Sequence, residues 1–204
     1  MIFACGYNGE LGLMNDLLWS LPKDMGHFVR VTKGKNVFMG RKTYESLPES
    51  LVALLGRSNF VISSNPKKVA EEYGWRTSKK VAGMRDGENY QARHSFNAES
   101  SLEGALKKAD SEKMNPGYHD KENIIIGGGG IYEYALNNNL VGIIYRTVVH
   151  QSFPIADVRM SNMKLGDYGF SIINSQQFAP DQENKYGMTI EKWVHNSRKK
   201  DLLW

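Results

Sequence analysis

Residues 19–40, WSLPKDMGHFVRVTKGKNVFMG, hold a helix start, a helix end and a buried strand in direct succession. Pro22 suits a first helical turn, where its missing N–H loses nothing. Asp24, Phe28 and Val31 follow at helical spacing and so share one face. Gly34 provides the left-handed residue with which helices commonly end. Val37, Phe38 and Met39 then make the segment Asn36–Gly40 apolar on both faces, the pattern of a central parallel strand. A helix feeding directly into a doubly buried strand points to an α/β fold.

Asp24 is the one carboxylate at this helix start. An acid in the first turn interacts favourably with the helix dipole, which is one sufficient reason for its presence. Trp19, Leu21 and Phe28 also set an apolar wall beside it, and a carboxylate against such a wall is costly unless it bonds a specific donor. A planar heterocycle offering a ring N–H and an amino group would match it in bidentate fashion.

Upstream, residues 2–6 read as a short buried strand and 7–21 as a long loop holding Asn8, Gly9, Gly12, Asn15 and Asp16. Ordering so long a loop costs entropy that some functional contact must offset. Downstream, 41–47 open a second helix, and 59–63 form a strand left through Ser63, Ser64, Asn65 and Pro66, a turn cluster. Residues 66–97 turn polar and carry Gly74, Gly83 and Gly87; they read as a peripheral insertion with a short strand around Trp75. Ser100 and Glu103 make a capping box for a helix over 101–109, and 113–122 form a solvated loop with Pro116 and Gly117. A strand over 123–126 runs into Gly127, Gly128, Gly129 and Gly130 and a helix to Leu136. A β-branched strand occupies 141–149, and Phe170–Phe178 pairs with 187–195 as a hairpin joined by the polar stretch 179–186. The predicted architecture is α/β, with a mostly parallel central sheet, flanking helices and a C-terminal antiparallel hairpin. It forms one domain over 1–196, with the insertion at about 66–97, followed by a basic tail over 197–204.

Composition narrows the chemistry. The chain has 204 residues, 41% hydrophobic and 24% charged, with a net charge of +4. That mild excess suits anionic small molecules and does not demand nucleic acid. Cys5 is the single cysteine, which rules out an internal disulfide and a cysteine metal cage. His27, His94, His119, His150 and His195 show no paired ligand spacing, so no metal is expected. No G-x-S-x-G nucleophile motif is present. No apolar run approaches ~20 residues and the N-terminal stretch lacks a cationic flank, so a cytoplasmic protein with no membrane partner is expected.

Sites in open α/β sheets lie at the carboxyl ends of the strands. Four segments fall there: 7–21, 40–43, Ser63 with Ser64, and 127–130. Four glycines between a strand and a helix can cradle a diphosphate with backbone N–H groups. They do not complete G-x-G-x-x-G, because Tyr132 stands in the last glycine's place, and Gly34 to Thr43 does not make a P-loop. Arg41, Lys42 and Thr43, with Ser63 and Ser64, add anion contacts, so the ensemble describes a long anionic ligand crossing several strand ends. Arg57 pairs with a substrate carboxylate or lies at the surface.

Taken in order, these motifs resemble dihydrofolate reductase over about two-thirds of the chain, a judgement resting on ordered motifs rather than one pattern. They are Ala4 in the first strand, Gly12 in the loop, Trp19 to Asp24 with Phe28 and Thr32, and Val37 to Ser46. Leu54 to Asn59, Ser63 with Ser64, and Ile126 to Gly129 with Ile131 and Tyr132 continue the series. The resemblance implies that Asp24 holds the pterin's amino group and ring N–H and assists protonation of the adjacent ring nitrogen through water. Thr147 is the expected partner of that acid, with Arg146 competing for the register. Ala4 and Ile126 would offer backbone carbonyls, Phe28 and Tyr132 would belong to the substrate pocket, and Arg57 would take the α-carboxylate. Leu11, Gly12, Asn15 and Leu17 would form a lid over nicotinamide, braced by Trp19. Gly40, Arg41, Lys42, Thr43, Ser63 and Ser64 would hold the adenosine phosphates, and Gly127, Gly128, Gly129, Gly130 and Ile131 the diphosphate.

The implied activity is NADPH-dependent reduction of dihydrofolate to tetrahydrofolate, supplying one-carbon metabolism and thymidylate synthesis, with antifolates such as methotrexate or trimethoprim as inhibitors. The chain departs from the family pattern at Leu55, where proline is frequent, and in extra residues at 49–53. It departs again at Gly130, where a basic residue often grips the 2′-phosphate, and in the 66–97 segment. Two rivals follow: a related pterin or pyrimidine reductase, and a non-catalytic nucleotide-binding or assembly protein that keeps the fold. Retention of Asp24 and of 40–43 argues for the active reductase.

Overall fold

The computed structural model describes residues 1–47, 56–82, 95–112, 122–160 and 164–198. In chain order the elements are β1 (Ile2–Cys5), β2 (Glu10–Gly12), α1 (Pro22–Thr32), β3 (Asn36–Gly40), α2 (Arg41–Ser46), β4 (Ser58–Ile62), α3 (Pro66–Ala82), β5 (Ser95–Glu99), α4 (Leu102–Glu112), β6 (Asn123–Gly127), α5 (Gly129–Asn137), β7 (Ile143–Val149), β8 (Val158–Arg159), β9 (Phe170–Phe178) and β10 (Met188–His195). They sort into two units, Met1–Val29 with Gly129–Trp204, and Arg30–Gly128.

The contiguous unit is built on an all-parallel sheet of order β5-β4-β3-β6. Val37, Phe38 and Met39 on β3 and Phe60 and Val61 on β4 are fully buried, as a parallel sheet covered on both faces requires. Phe38 stacks on Phe60 with ring centroids 4.7 Å apart. Burying each such side chain stabilises the unit by about 1.5–3 kcal/mol. Gly34 adopts a φ of +77° just beyond α1, where a side chain would be strained.

The other unit carries the sheet β1-β7-β10-β9, in which β1 and β7 are parallel and the remaining pairs antiparallel. The β9–β10 hairpin forms its end, as the sequence predicts. Trp19, Leu21, Val149, Phe153 and Met188 make a buried cluster, with Trp19 and Phe153 ring centroids 5.0 Å apart. The mostly parallel pairing, the helices between strands and the terminal hairpin together are the α/β architecture expected.

Three local expectations are corrected, and one open alternative is decided. The segment 66–97 has no strand near Trp75: it starts as helix α3 and ends in β5, which pairs with β4 at the edge of its sheet. Asn65 is the N-cap of α3, its Oδ1 accepting the Lys68 N–H at 3.1 Å, and Pro66 occupies the first helical position. Val69 and Tyr73, four residues apart, bury the helix face. Second, the cap of α4 is Ser101, whose Oγ accepts the Gly104 N–H at 3.1 Å, so the capping box from Ser100 does not form. Third, residues 7–21 are not all loop, because β2 pairs antiparallel with β8. Of the two alternatives open for Arg57, the surface position is excluded, because the residue is 5% exposed. Residues 49–53, most of the loop at 113–122, the stretch 83–94 and the tail from 199 lie outside the described residues. Among the described residues no helix is long and apolar enough to cross a membrane.

Candidate active site

Asp24 sits in the first turn of α1, half-buried, and receives a side-chain hydrogen bond from Thr147 on β7. Burial raises the Asp24 pKa above the usual carboxylate value, and the Thr147 bond pulls against that rise. Thr147 is 2% exposed and lies directly opposite Ala4 in the β1–β7 ladder. The neighbouring Arg146 is committed elsewhere, its Nε donating to Glu191 at 2.7 Å. Of the two registers considered, the structure therefore brings Thr147 to the acid. Tyr132 on α5 is buried, and its hydroxyl donates to the Ile2 carbonyl at 2.9 Å, which ties α5 to β1. Phe28 is half-buried on α1, and Trp19 is 8% exposed in its cluster.

The loop that includes Leu11, Gly12, Asn15 and Leu17 is held at its base and open at its tip. The Asp157 N–H donates to the Gly12 carbonyl at 3.2 Å, and Asp157 Oδ2 accepts the Met14 N–H at 3.0 Å. Met14 and Asn15 take φ values of 52° and 63° in a turn closed by Leu13 and Asp16. Leu17 is 58% exposed. Beneath the loop, Glu10 is fully buried. Its carboxylate accepts from the Asn8 N–H at 2.8 Å and the Phe153 N–H at 3.0 Å, and pairs with Arg159 at 3.2 Å. Burial alone would raise its pKa, yet amide bonds from Glu10 itself, Phe153 and Asn8, with the Asn8 side chain, lower it from 4.5 to about 2.

Within Arg30–Gly128, Arg57 is the notable charge. Its Nε donates to Thr32 Oγ1 at 2.8 Å, which fixes the plane of a buried guanidinium. Burial lowers its pKa without removing its charge. Gly40 ends β3 and leads into Arg41, Lys42 and Thr43 of α2. Arg41 is exposed and donates from Nη1 to both Glu45 carboxylate oxygens at 2.7 and 2.8 Å, so an arriving phosphate would share that guanidinium. Ser63 is buried, its Oγ accepting the Asn65 N–H at 3.1 Å, and Ser64 is exposed. Ile126 is 8% exposed on β6.

The glycine run behaves differently at each position. Gly127 has a φ of 135°, and the peptide between Gly127 and Gly128 is cis. A Cβ on Gly128 would lie 3.0 Å from Thr43 Oγ1. On Gly129 it would meet the Arg159 carbonyl and Val158 Cγ1 at 3.4 Å and Leu11 Cδ1 at 3.6 Å, whereas on Gly130 it would meet nothing within 4 Å. Within Arg30–Gly128 the bare backbone at Gly128 therefore lies close to Thr43, and within the other unit that at Gly129 lies close to β8. Among the described residues no group of acids, histidines and cysteine could hold a metal ion.

Sequence reasoning missed Glu10, Asp157, Arg159 and Asn184. Each is recognised by a partner more than a hundred residues away, so no local pattern announces it.

A sequence model described as dihydrofolate reductase matches residues 1–92 and 88–195. The chain is 30% identical over 161 residues to a dihydrofolate reductase of Aedes albopictus, covering 75% of this chain and 74% of that one. It is 30% identical over 209 residues to a putative dihydrofolate reductase of Caenorhabditis elegans, covering 95% and 94%. A solved structure of dihydrofolate reductase from Enterococcus faecalis, complexed with NADP(H) and RAB-propyl, superposes with a TM-score of 0.67 at 20% identity, covering 96% of this chain and 94% of that one. That likeness shows the fold, and the two relatives with the matched sequence model show the lineage. This chain belongs to the dihydrofolate reductase family of oxidoreductases.

Proposed function

We propose that this protein reduces 7,8-dihydrofolate to 5,6,7,8-tetrahydrofolate with NADPH, feeding one-carbon metabolism and thymidylate synthesis. The observation that carries the reading is the half-buried Asp24 bonded by Thr147, a carboxyl whose pKa burial raises above the ordinary aspartate value and which is therefore better suited than a solvated one to hold or relay a proton. The nicotinamide supplies the hydride when bound, and the pterin ring nitrogen beside the reduced carbon takes a proton. Asp24 would bind the pterin's amino group and ring N–H and orient the water that delivers that proton. The Ala4 and Ile126 carbonyls, with Phe28, would fix the ring plane, and Arg57 would clamp the α-carboxylate in bidentate fashion. Leu11, Gly12, Asn15 and Leu17, braced by Trp19, would cover the reacting atoms and exclude water. Lys42, Thr43, Ser63 and Ser64, with the Arg41 shared by Glu45, would hold the adenosine phosphates, and the backbone of 127–131 the diphosphate. With no side chain at Gly130, the 2′-phosphate grip would fall to Arg41, Lys42 and the serines.

The test is the loss of near-ultraviolet absorbance on mixing protein, NADPH and dihydrofolate, repeated with NADH and with methotrexate or trimethoprim. Methotrexate-sensitive turnover that is faster with NADPH is expected. Tight cofactor binding with no turnover of dihydrofolate would sink the proposal.

A further inference from the structure

Helix α1 begins with a gap that its own flank does not fill. Pro22 has no N–H, and Leu21 before it has no side-chain acceptor, so the Lys23 amide is the first that needs a partner. That partner comes from the far end of the chain: Asn184 Oδ1 accepts the Lys23 N–H at 3.0 Å. Asn184 lies in the connection between β9 and β10 and is 2% exposed. Asp181 holds it there, Oδ1 accepting the Asn184 Nδ2 at 2.8 Å and the Asn184 and Glu183 amides at 2.7 and 3.0 Å. The other oxygen, Asp181 Oδ2, pairs with Lys23 Nζ at 3.1 Å, and that ammonium sits 4.8 Å from the Phe178 ring centroid. Lys23 is therefore gripped at both its amide and its ammonium. The next residue is Asp24.

We propose that Asn184 and Asp181 are positioning residues for the Asp24 carboxylate, locking the first turn of α1 so that Asp24 meets Thr147. An ordinary cap is supplied by the residue that precedes the helix; this one reaches across 161 positions of sequence to the residue adjoining the acid. A first turn free to fray would carry Asp24 toward water and away from the Thr147 hydroxyl. The titratable groups that act on the same locality are the Cys5 thiol on β1 and the Tyr132 phenol on α5, both held neutral by burial. Neither belongs to the Asn184–Asp181 cluster. Asn184→Ala also changes no charge, so its effect on Asp24 reports position alone. The inference rests on the proposed activity for its catalytic meaning, while the placement of Asp24 is independent of which substrate binds.

The experiment compares wild type, Asn184→Ala and the milder Asp181→Asn in the full chain. The readouts are the ¹³C-detected titration of the Asp24 carboxyl without ligands, the pH dependence of dihydrofolate turnover, NADPH affinity and Tm. In Asn184→Ala the Asp24 midpoint should fall toward the ordinary aspartate value, and kcat near neutral pH should drop roughly tenfold, with KM changing less. NADPH affinity should be unchanged, and Asp181→Asn should move the same quantities in the same direction by less. An Asp24 midpoint and a pH profile superposing on wild type in both variants, whatever happens to Tm, would overturn the proposal. If the wild-type chain did not reduce dihydrofolate, the activity reading would fail, and the carboxyl titration would still decide this one.

Discussion

The Thr147 hydroxyl, buried on β7, bonds the Asp24 carboxylate at the first turn of α1. Because folding raises the Asp24 pKa, the ionised acid works against stability. Its contribution is most favourable below the unfolded value of 3.8 and is lost as pH rises through the folded value. Asp24→Asn removes that loss. Its Tm at neutral pH should equal or exceed that of wild type, while dihydrofolate turnover falls by at least about 100-fold. Thermal melts beside steady-state kinetics check both halves, and wild-type turnover at neutral pH would exclude Asp24 from proton delivery.

Arg57 offers a planar fork whose Nε is already fixed by Thr32 at 2.8 Å. Lysine cannot reproduce that geometry. Arg57→Lys should raise the dihydrofolate KM by roughly 10- to 100-fold with a smaller change in kcat. A dihydropteridine without the glutamate tail should be reduced equally by both proteins. Equal loss on both substrates would place Arg57 in the framework rather than on the carboxylate.

Glu10 has the opposite titration sign from Asp24. Its pKa is depressed from 4.5 to about 2, so its stabilising contribution is present above 4.5 and is lost as pH falls toward 2. Glu10→Gln keeps the size but loses the charge that faces Arg159 and four N–H donors. The variant should melt below wild type at pH 7, and the gap should narrow as the pH is lowered into that window. A gap independent of pH would mean that packing, not charge, holds β2.

Gly130 and Gly128 make a contrasting pair. A side chain at Gly130 meets open space, whereas one at Gly128 would crowd Thr43 Oγ1 at 3.0 Å. Gly130→Lys should leave Tm within about a degree of wild type, since surface changes of this kind rarely exceed ~0.5 kcal/mol, and should raise the preference for NADPH over NADH. Gly128→Ala should weaken both cofactors alike. Fluorescence titration of each variant with the two cofactors measures this, and an unchanged preference in Gly130→Lys would place the 2′-phosphate away from α5.

Much of this was legible because the chain punctuates it. Pro22 and Gly34 bracket α1, Gly40 closes β3, and the polar stretch 179–186 separates the two strands of the terminal hairpin. Helix α3 was hidden because its inward face is carried by Val69 and Tyr73 among charged neighbours, and Asn65 with Pro66 serves a cap as readily as a turn. β2 is three residues long, too short for a period to show. The acid, the basic segment after β3 and the glycine run could be picked out by type and order. Burial of Glu10, Arg57 and Asn184 could not, because a polar side chain becomes tolerable inside only through partners that sequence distance conceals.

The division of the chain also sets an order of events during synthesis. Arg30–Gly128 is one uninterrupted stretch, whereas the unit that carries Asp24 joins Met1–Val29 to Gly129–Trp204. On the ribosome, β1 is made first yet must wait for β7 to emerge before it can pair, and the Lys23 amide must wait for Asn184. A nascent chain stalled before Asn184 has every strand of the β3–β6 sheet and no seated acid. On that proposal, a residue translated among the earliest waits for one translated near the end.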